Sequence, residues 1–111
     1  MGELDYVQQM SDEILENIPS IFSLSQNYPN PFNPVTKLNY NLPLRSKINI
    51  SIYNVLGQEI KTLVNGVKEY GYHSTTWNGQ DNVGRDMASG VYFARITSQG
   101  FTKTRKVLLV K

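Results

Sequence analysis

With 111 residues, a formal net charge of +2 and ordinary apolar content, the chain has room for one domain and its core, and not for two. It holds no cysteine, which excludes a disulfide framework, a thiolate nucleophile and a cysteine-based zinc site, and is compatible with export. No apolar run approaches the ~18 residues of a transmembrane helix, and the N-terminus lacks the basic start and apolar stretch of a signal peptide.

Residues 1–20 hold Glu3, Asp5, Asp12, Glu13 and Glu16 and no Lys or Arg, so the lead is acidic and the remainder basic. Leu4, Val7, Ile14, Leu15 and Ile18 fall roughly on one helical face, and Pro19 ends that pattern. Acidic composition and terminal position fit a linker equally well, so residues 1–20 read as a short helix or a linker outside the core. Met1-Gly2 reads as an artificial start, and the chain as a fragment of a longer protein.

After an extended stretch at Ile21–Leu24 comes "NYPNPFNPVT", residues 27–36. Pro29, Pro31 and Pro34 fix φ and remove backbone donors, and they push the residue before each toward extended geometry. Asn27, Asn30 and Asn33 can bond nearby backbone in place of the missing ladder bonds. Tyr28 and Phe32 read as apolar plugs on a rigid strip, an ordered crossing at the rim of a β domain. A ligand for an aromatic groove would need P-x-x-P spacing, which occurs here only as Pro31 to Pro34.

From there the period is two. Leu38, Tyr40 and Leu42 alternate with Lys37, Asn39 and Asn41, and Ile48, Ile50 and Ile52 repeat the pattern after a turn in "LPLRS". "QEIKTLV" (58–64) reads as a strand ended by a turn at Asn65-Gly66, and "YHSTTWN" (72–78) as another strand before a turn-dense stretch. "VYFARITS" (91–98) and "FTKTRKVLLV" (101–110) flank a tight turn at Gln99-Gly100. About seven short strands joined by turns, with no internal repeat, make the fold class all-β: an immunoglobulin-like antiparallel β-sandwich over residues 21–111.

Chemistry is sparse. The single histidine, His73, shares a strand face with Thr75 and Trp77 and reads as packed. Glu59, Glu69, Asp81 and Asp86 are the acids beyond the lead, and nothing in the sequence pairs any two of them for acid–base work. Asp81 and Asp86 with Asn78 and Asn82 offer calcium-type oxygen ligands, but the spacing lacks the EF-hand pattern, and such residues usually bond their own turn. The sequon Asn49-Ile50-Ser51 lies in mid-strand. The basic run Lys103, Arg105 and Lys106 lacks interleaved aromatics for nucleic acid. No catalytic, cofactor or metal site is expected. Trp77 and the tyrosines could form a sugar platform, but they fall on mostly inward positions.

The last strand carries Val107 and Leu109 on one face and Leu108 and Val110 on the other, followed by Lys111. An edge strand apolar on both faces invites an added partner strand, unless the fold itself covers both sides. The basic residues would sit on its exposed flank.

Four segments in order, "FSLSQNYPNPFNPVTKLNYNLP", "INISIYNVLGQEIKTLV", "GYHSTTWNGQDNVGRDMASGVYFARI" and "TKTRKVLLVK", resemble the C-terminal sorting domains of cargo of the type IX secretion system in Bacteroidetes-type bacteria. The likeness spans residues 22 to 111. The sandwich also resembles the immunoglobulin-like domain of the flagellar hook-capping protein, so part of it speaks of fold alone. The resemblance implies a non-catalytic address tag behind an upstream cargo domain. It implies an outer-membrane translocon that recognises the folded tag, and a sortase-like surface peptidase that removes it and links cargo to lipopolysaccharide. Transit through the periplasm to the cell surface or exterior is implied too, without membrane insertion. Residues 27–34 are the family signature, and Lys103 with Arg105 to Lys111 the expected recognition strand. The alternatives are a passive adhesive module of a secreted hydrolase and a hook-assembly domain.

Overall fold

A computed structural model describes residues 19–111; the helix-or-linker alternative for residues 1–20 falls almost wholly outside them. Seven strands follow in chain order: β1 (Ser23–Leu24), β2 (Thr36–Leu42), β3 (Ser46–Tyr53), β4 (Glu59–Lys68), β5 (Gly71–Trp77), β6 (Gly90–Ser98) and β7 (Phe101–Leu109). They form two antiparallel sheets, β1-β2-β5 and β4-β3-β6-β7, which face each other as a sandwich.

Period-two burial explains the packing. Leu38, Tyr40 and Leu42 of β2 face Ile48, Ile50 and Ile52 of β3 and Tyr92, Ala94 and Ile96 of β6 across one buried layer. Val107 and Leu109 of β7 close that layer at one end. Burying each such side chain stabilises by about 1.5–3 kcal/mol relative to leaving it in water. Trp77 is fully buried and anchors an aromatic cluster, 5.4 Å from Phe32 and 5.1 Å from Tyr92 between ring centroids. Its indole N–H donates to the Gln80 carbonyl at 2.8 Å, so the polar handle is satisfied.

The turn expected at Asn65-Gly66 is not there. β4 runs straight through it, with Asn65 opposite Asn49 and Gly66 opposite Ile48, and the chain reverses at Glu69–Tyr70 instead. The long β3 supplies ladder partners as far as Ser46, and those bonds outweigh the local preference of the dipeptide. Register shifts at Ile50/Ser51 and Ile52/Tyr53 place Leu63 and Ile60 in bulges, and both pack against the core. "LPLRS" does turn the chain, but as a crossing between sheets, since β2 and β3 do not pair. Gln99-Gly100 is the β6–β7 hairpin, with Gly100 at φ 69°.

Not all the tyrosines point inward. Tyr40 and Tyr92 are buried, whereas Tyr28, Tyr70 and Tyr72 are exposed. Tyr70 lies in the sheet-crossing turn and Tyr72 on the outward face of β5, where none of the described residues forms a second layer over them.

The C-terminal strand and its strap

β7 is the outer strand of the four-stranded sheet, yet half of its free edge is closed. Residues 26–35 run along it as a strap. The Phe32 amide donates to the Leu108 carbonyl at 2.9 Å, and the Val110 amide donates to the Phe32 carbonyl at 3.0 Å. Between them the Leu108 amide donates to Asn30 Oδ1 at 3.0 Å. The strap therefore offers β7 one residue of parallel ladder, Phe32 beside Leu109, and one side-chain imitation of a ladder. Further along, Gln26 Nε2 donates to the Lys106 carbonyl at 2.6 Å.

The composition of the strap explains how it keeps this shape. Pro29, Pro31 and Pro34 all follow cis peptide bonds and give the strap no amide donors. Asn27 is buried and does the internal work: its Nδ2 donates to the Pro29 carbonyl at 3.1 Å and to Thr36 Oγ1 at 2.9 Å. The Thr36 hydroxyl in turn donates to the same Pro29 carbonyl at 2.8 Å. Tyr28 pairs through its backbone with Lys37, at 2.9 and 2.8 Å. Phe32, 1% exposed, enters the core beside Trp77. Tyr28 does not plug anything: the residue is 80% exposed, because its pairing with Lys37 sets that side chain away from the core. Asn33 and Pro34 are exposed and lead the chain into β2.

The faces of β7 divide as the alternation predicts at its C-terminal half. Val107 and Leu109 are buried; Leu108 is half-buried and Val110 exposed on the opposite face. The N-terminal half differs from the expectation of a free basic flank. Arg105 is half-buried, and its Nε donates to the Leu24 carbonyl of β1 at 2.8 Å, tying the two sheets together where the core ends. Phe101 stacks on Phe22 at 5.2 Å, on the same side. Lys103, Lys106 and Lys111 are exposed.

Cross-strand register adds residues to the outward face that the terminal strand alone did not suggest. Val91 lies opposite Leu108, Phe93 opposite Lys106, and Tyr53 opposite Phe93. The Arg95 guanidinium sits 4.8 Å over the Tyr53 ring. The result is a half-buried apolar strip bordered by Arg95 and Lys106. The alternation of "VYFAR" carries the signal: if Tyr92 and Ala94 face in, Val91, Phe93 and Arg95 must face out.

The opposite edge of the same sheet is covered in part, at Ile60–Thr62 of β4, by the loop 78–89. The Asn82 amide donates to the Ile60 carbonyl at 3.1 Å, and the Thr62 amide donates to Asn82 Oδ1 at 3.1 Å. Asp81 holds that loop. Its Oδ1 accepts from the Val83 and Arg85 amides at 3.0 and 2.9 Å, and its Oδ2 from Arg85 Nε at 2.8 Å. The Arg85 amide is the main reason the Asp81 carboxyl titrates below its usual range; desolvation opposes that shift, and the remaining bonds and the Arg85 charge add to it. The carboxylate is thus committed to its own turn, not arranged with Asp86, which accepts from Gln80 at 3.1 Å. The loop meets the chain end where the Lys111 amide donates to Ser89 Oγ at 2.9 Å.

The remaining acids and the histidine are likewise engaged. Thr62 and then Ser51 donate to Glu59 Oε1 and lower its pKa, against a smaller effect of burial. Glu69 lies 3.3 Å from Arg45 at an exposed site. His73 stacks on Tyr40 at 5.1 Å and bonds the Glu69 carbonyl through Nε2. Among the described residues no three His, Asp or Glu side chains gather where a metal ion could sit, and no helix is long and apolar enough to cross a membrane.

The family model described as "Secretion system C-terminal sorting domain" matches residues 26–111, from the first residue of the strap to the end of the chain. Among curated proteins none matches. Solved structures share the fold. Dimeric latent PorU from Porphyromonas gingivalis is 16% identical with a TM-score of 0.61, over 84% of this chain and 10% of that one. PorZ, described as an essential surface component of the type-IX secretion system of the same organism, is 18% identical with a TM-score of 0.54, over 81% and 11%. FLGD from P. aeruginosa is 25% identical with a TM-score of 0.53, over 67% and 59%. The chain therefore spans about a tenth of two of these proteins and less than two thirds of the third.

Proposed function

The chain belongs to the secretion system C-terminal sorting domain family, and from that premise we propose that the secretion machinery reads it through the outward face of its terminal strand. As a member of the family the domain is a non-catalytic sorting signal: it directs a secreted protein toward the cell surface or exterior and is recognised by the secretion machinery. The match over residues 26–111 is the observation that carries this.

The finer reading is ours. The type IX translocon of the outer membrane contacts Lys106, Leu108 and Val110 after transit through the periplasm, while Lys103 and Lys111, which alternation sets on the Val107 and Leu109 side of the strand, add positive charge at its two ends. Arg105, Val107 and Leu109 act from beneath by holding the strand in place. A sortase-like surface peptidase then separates the tag from an upstream cargo domain, for which residues 1–20 are the linker. Support comes from chemistry: Leu108 is half-buried and Val110 exposed beside Val91 and Phe93, an apolar strip with cationic borders. Apolar area holds a partner, while exposed charges chiefly set encounter rate and salt dependence. Because the strap fills the β7 edge between Lys106 and Val110, the partner meets side chains there and not free backbone.

The test fuses the chain, and separately residues 21–111, to a reporter with an inner-membrane export signal in a type IX-competent cell. Both reporters should reach the surface or medium. Leu108→Lys with Val110→Lys should stop export while leaving the purified domain folded. Wild-type export by that folded double mutant would remove this face from recognition. Replacing Lys103 and Lys106 by neutral residues should slow export less.

A further inference from the structure

Among the described residues the sandwich has four sheet edges, and three are protected in whole or in part. β1 is only two residues long. β4 carries two bulges and gives the Ile60 carbonyl and Thr62 amide to Asn82 in its first half, and bears Lys68 at the end of its regular second half. β7 gives its backbone from Lys106 to Val110 to the strap, and bears Lys103, Arg105 and Lys106 along the rest. These are the usual devices against edge-to-edge pairing: brevity, bulges, charge and a covering segment.

Among the described residues β5 has none of them. Its residues Gly71–Trp77 pair with β2 in unbroken register and include no Lys, Arg, Asp, Glu or Pro. It is the outer strand of its sheet. Among the described residues, the backbone amides and carbonyls of Gly71–Trp77 bond to β2 and to nothing else. Its outward residues Tyr72, Ser74 and Thr76 are exposed. A regular strand with one unpaired side is a template for another strand, and its side chains choose which strand fits.

The side chains of β5 fit their own copy. An antiparallel pair centred on Ser74 sets Ser74 against Ser74, Tyr72 against Thr76 and His73 against Thr75. Hydroxyl pairs and aromatic–β-branched pairs favour cross-strand contact, and no acidic or basic residue meets its like. The same operation centred between Thr104 and Arg105 of β7 would set Lys103 against Lys106, and centred between Val64 and Asn65 of β4 would set Lys61 against Lys68. We infer that β5 pairs with β5 of a second copy of this chain, joining two three-stranded sheets into one of six strands. The contact is one strand wide, so the dimer is small and transient. It lies on the other sheet from the surface assigned to export.

The full 111-residue chain is followed by sedimentation velocity and amide NMR over a concentration series. Dimerisation should rise with concentration, with amide shifts confined to residues 71–77 and their β2 partners. Ser74→Lys should weaken association on the order of tenfold through like charges placed face to face, and salt should restore part of the loss. Ser74→Glu alone should behave the same way, and an equimolar mixture of the two variants should associate at least as well as the wild type. Unchanged thermal midpoints would show that the variants fold; Thr76→Lys with Tyr72→Glu provides a second complementary design should Ser74 variants not fold. A monomer up to about 1 mM overturns the inference, since that limit is weaker than ~4 kcal/mol of association. So does a dimer indifferent to the charge pairs, or one whose shifts lie elsewhere. Export by the reporter fusion is read separately, and its loss or persistence leaves this result as it stands.

Discussion

The strap at residues 26–35 and the loop at 78–89 perform the same task at opposite edges of one sheet. Each lends an asparagine to a strand as a false ladder partner: Asn30 to the Leu108 amide, Asn82 to the Thr62 amide. Each also contributes true backbone bonds, through Phe32 and Asn82. Their anchors differ. The strap is pinned by the buried ring of Phe32, whereas the loop is pinned by the Asp81 carboxylate. A few backbone bonds suffice to cover part of an edge, and the anchor sets what can open it: loss of apolar volume for the strap, protonation for the loop.

The largest effect should come from the aromatic cluster. Phe32→Ala should destabilise by roughly 3–5 kcal/mol and release the strap, so the Leu108 and Val110 amides should exchange much faster with deuterium. Trp77→Ala should cost a similar roughly 3–5 kcal/mol and loosen both segments, because Trp77 touches Phe32 and donates to Gln80 in the loop. Since the two rings are in contact, denaturation of the double mutant should show less than the sum of the single losses. Native Trp77 emission should be blue-shifted and poorly quenched; a red-shifted, readily quenched signal would place the indole in water.

The next effect separates the anchors. Asp81 has a folded pKa below its unfolded value, so its contribution is complete above the unfolded carboxylate range and disappears as pH falls through the folded pKa. Acid titration should therefore accelerate exchange at the Val83, Arg85 and Thr62 amides before the Leu108 and Val110 amides respond. Asp81→Asn should produce that loop-specific loss at neutral pH and flatten the acid dependence. Equal acid sensitivity of strap and loop would erase the distinction.

Smaller still are the imitation ladder bonds. Asn30→Ala and Asn82→Ala should each cost about 1 kcal/mol in denaturant unfolding, the net worth of one hydrogen bond. Smallest is Tyr28→Ala, within about 0.5 kcal/mol of wild type although it stands inside the signature segment, because the ring is in solvent. A larger loss would mean the strap depends on more than Phe32 and Asn27.

By itself the sequence determined which residues alternate, and so where most strands lie and which faces they bury. The inward runs Leu38–Tyr40–Leu42 and Ile48–Ile50–Ile52, the packed Trp77 and the split of Val107 and Leu109 from Leu108 and Val110 all follow from a period of two. Family membership was legible too, because "NYPNPFNP" and the ending are linear patterns. What tertiary structure decided are matters of long-range partnership. Whether Asn65-Gly66 turns depends on how far β3 extends beside it. Arg105 is tied down because β1 passes within 2.8 Å of its Nε. Of the two aromatics on one stiff strip, Phe32 is buried and Tyr28 is not, since only one side of the strip meets β7 and the core. Periodicity fixes the direction of a side chain relative to its own backbone; what waits in that direction is set by residues as far as 81 positions away.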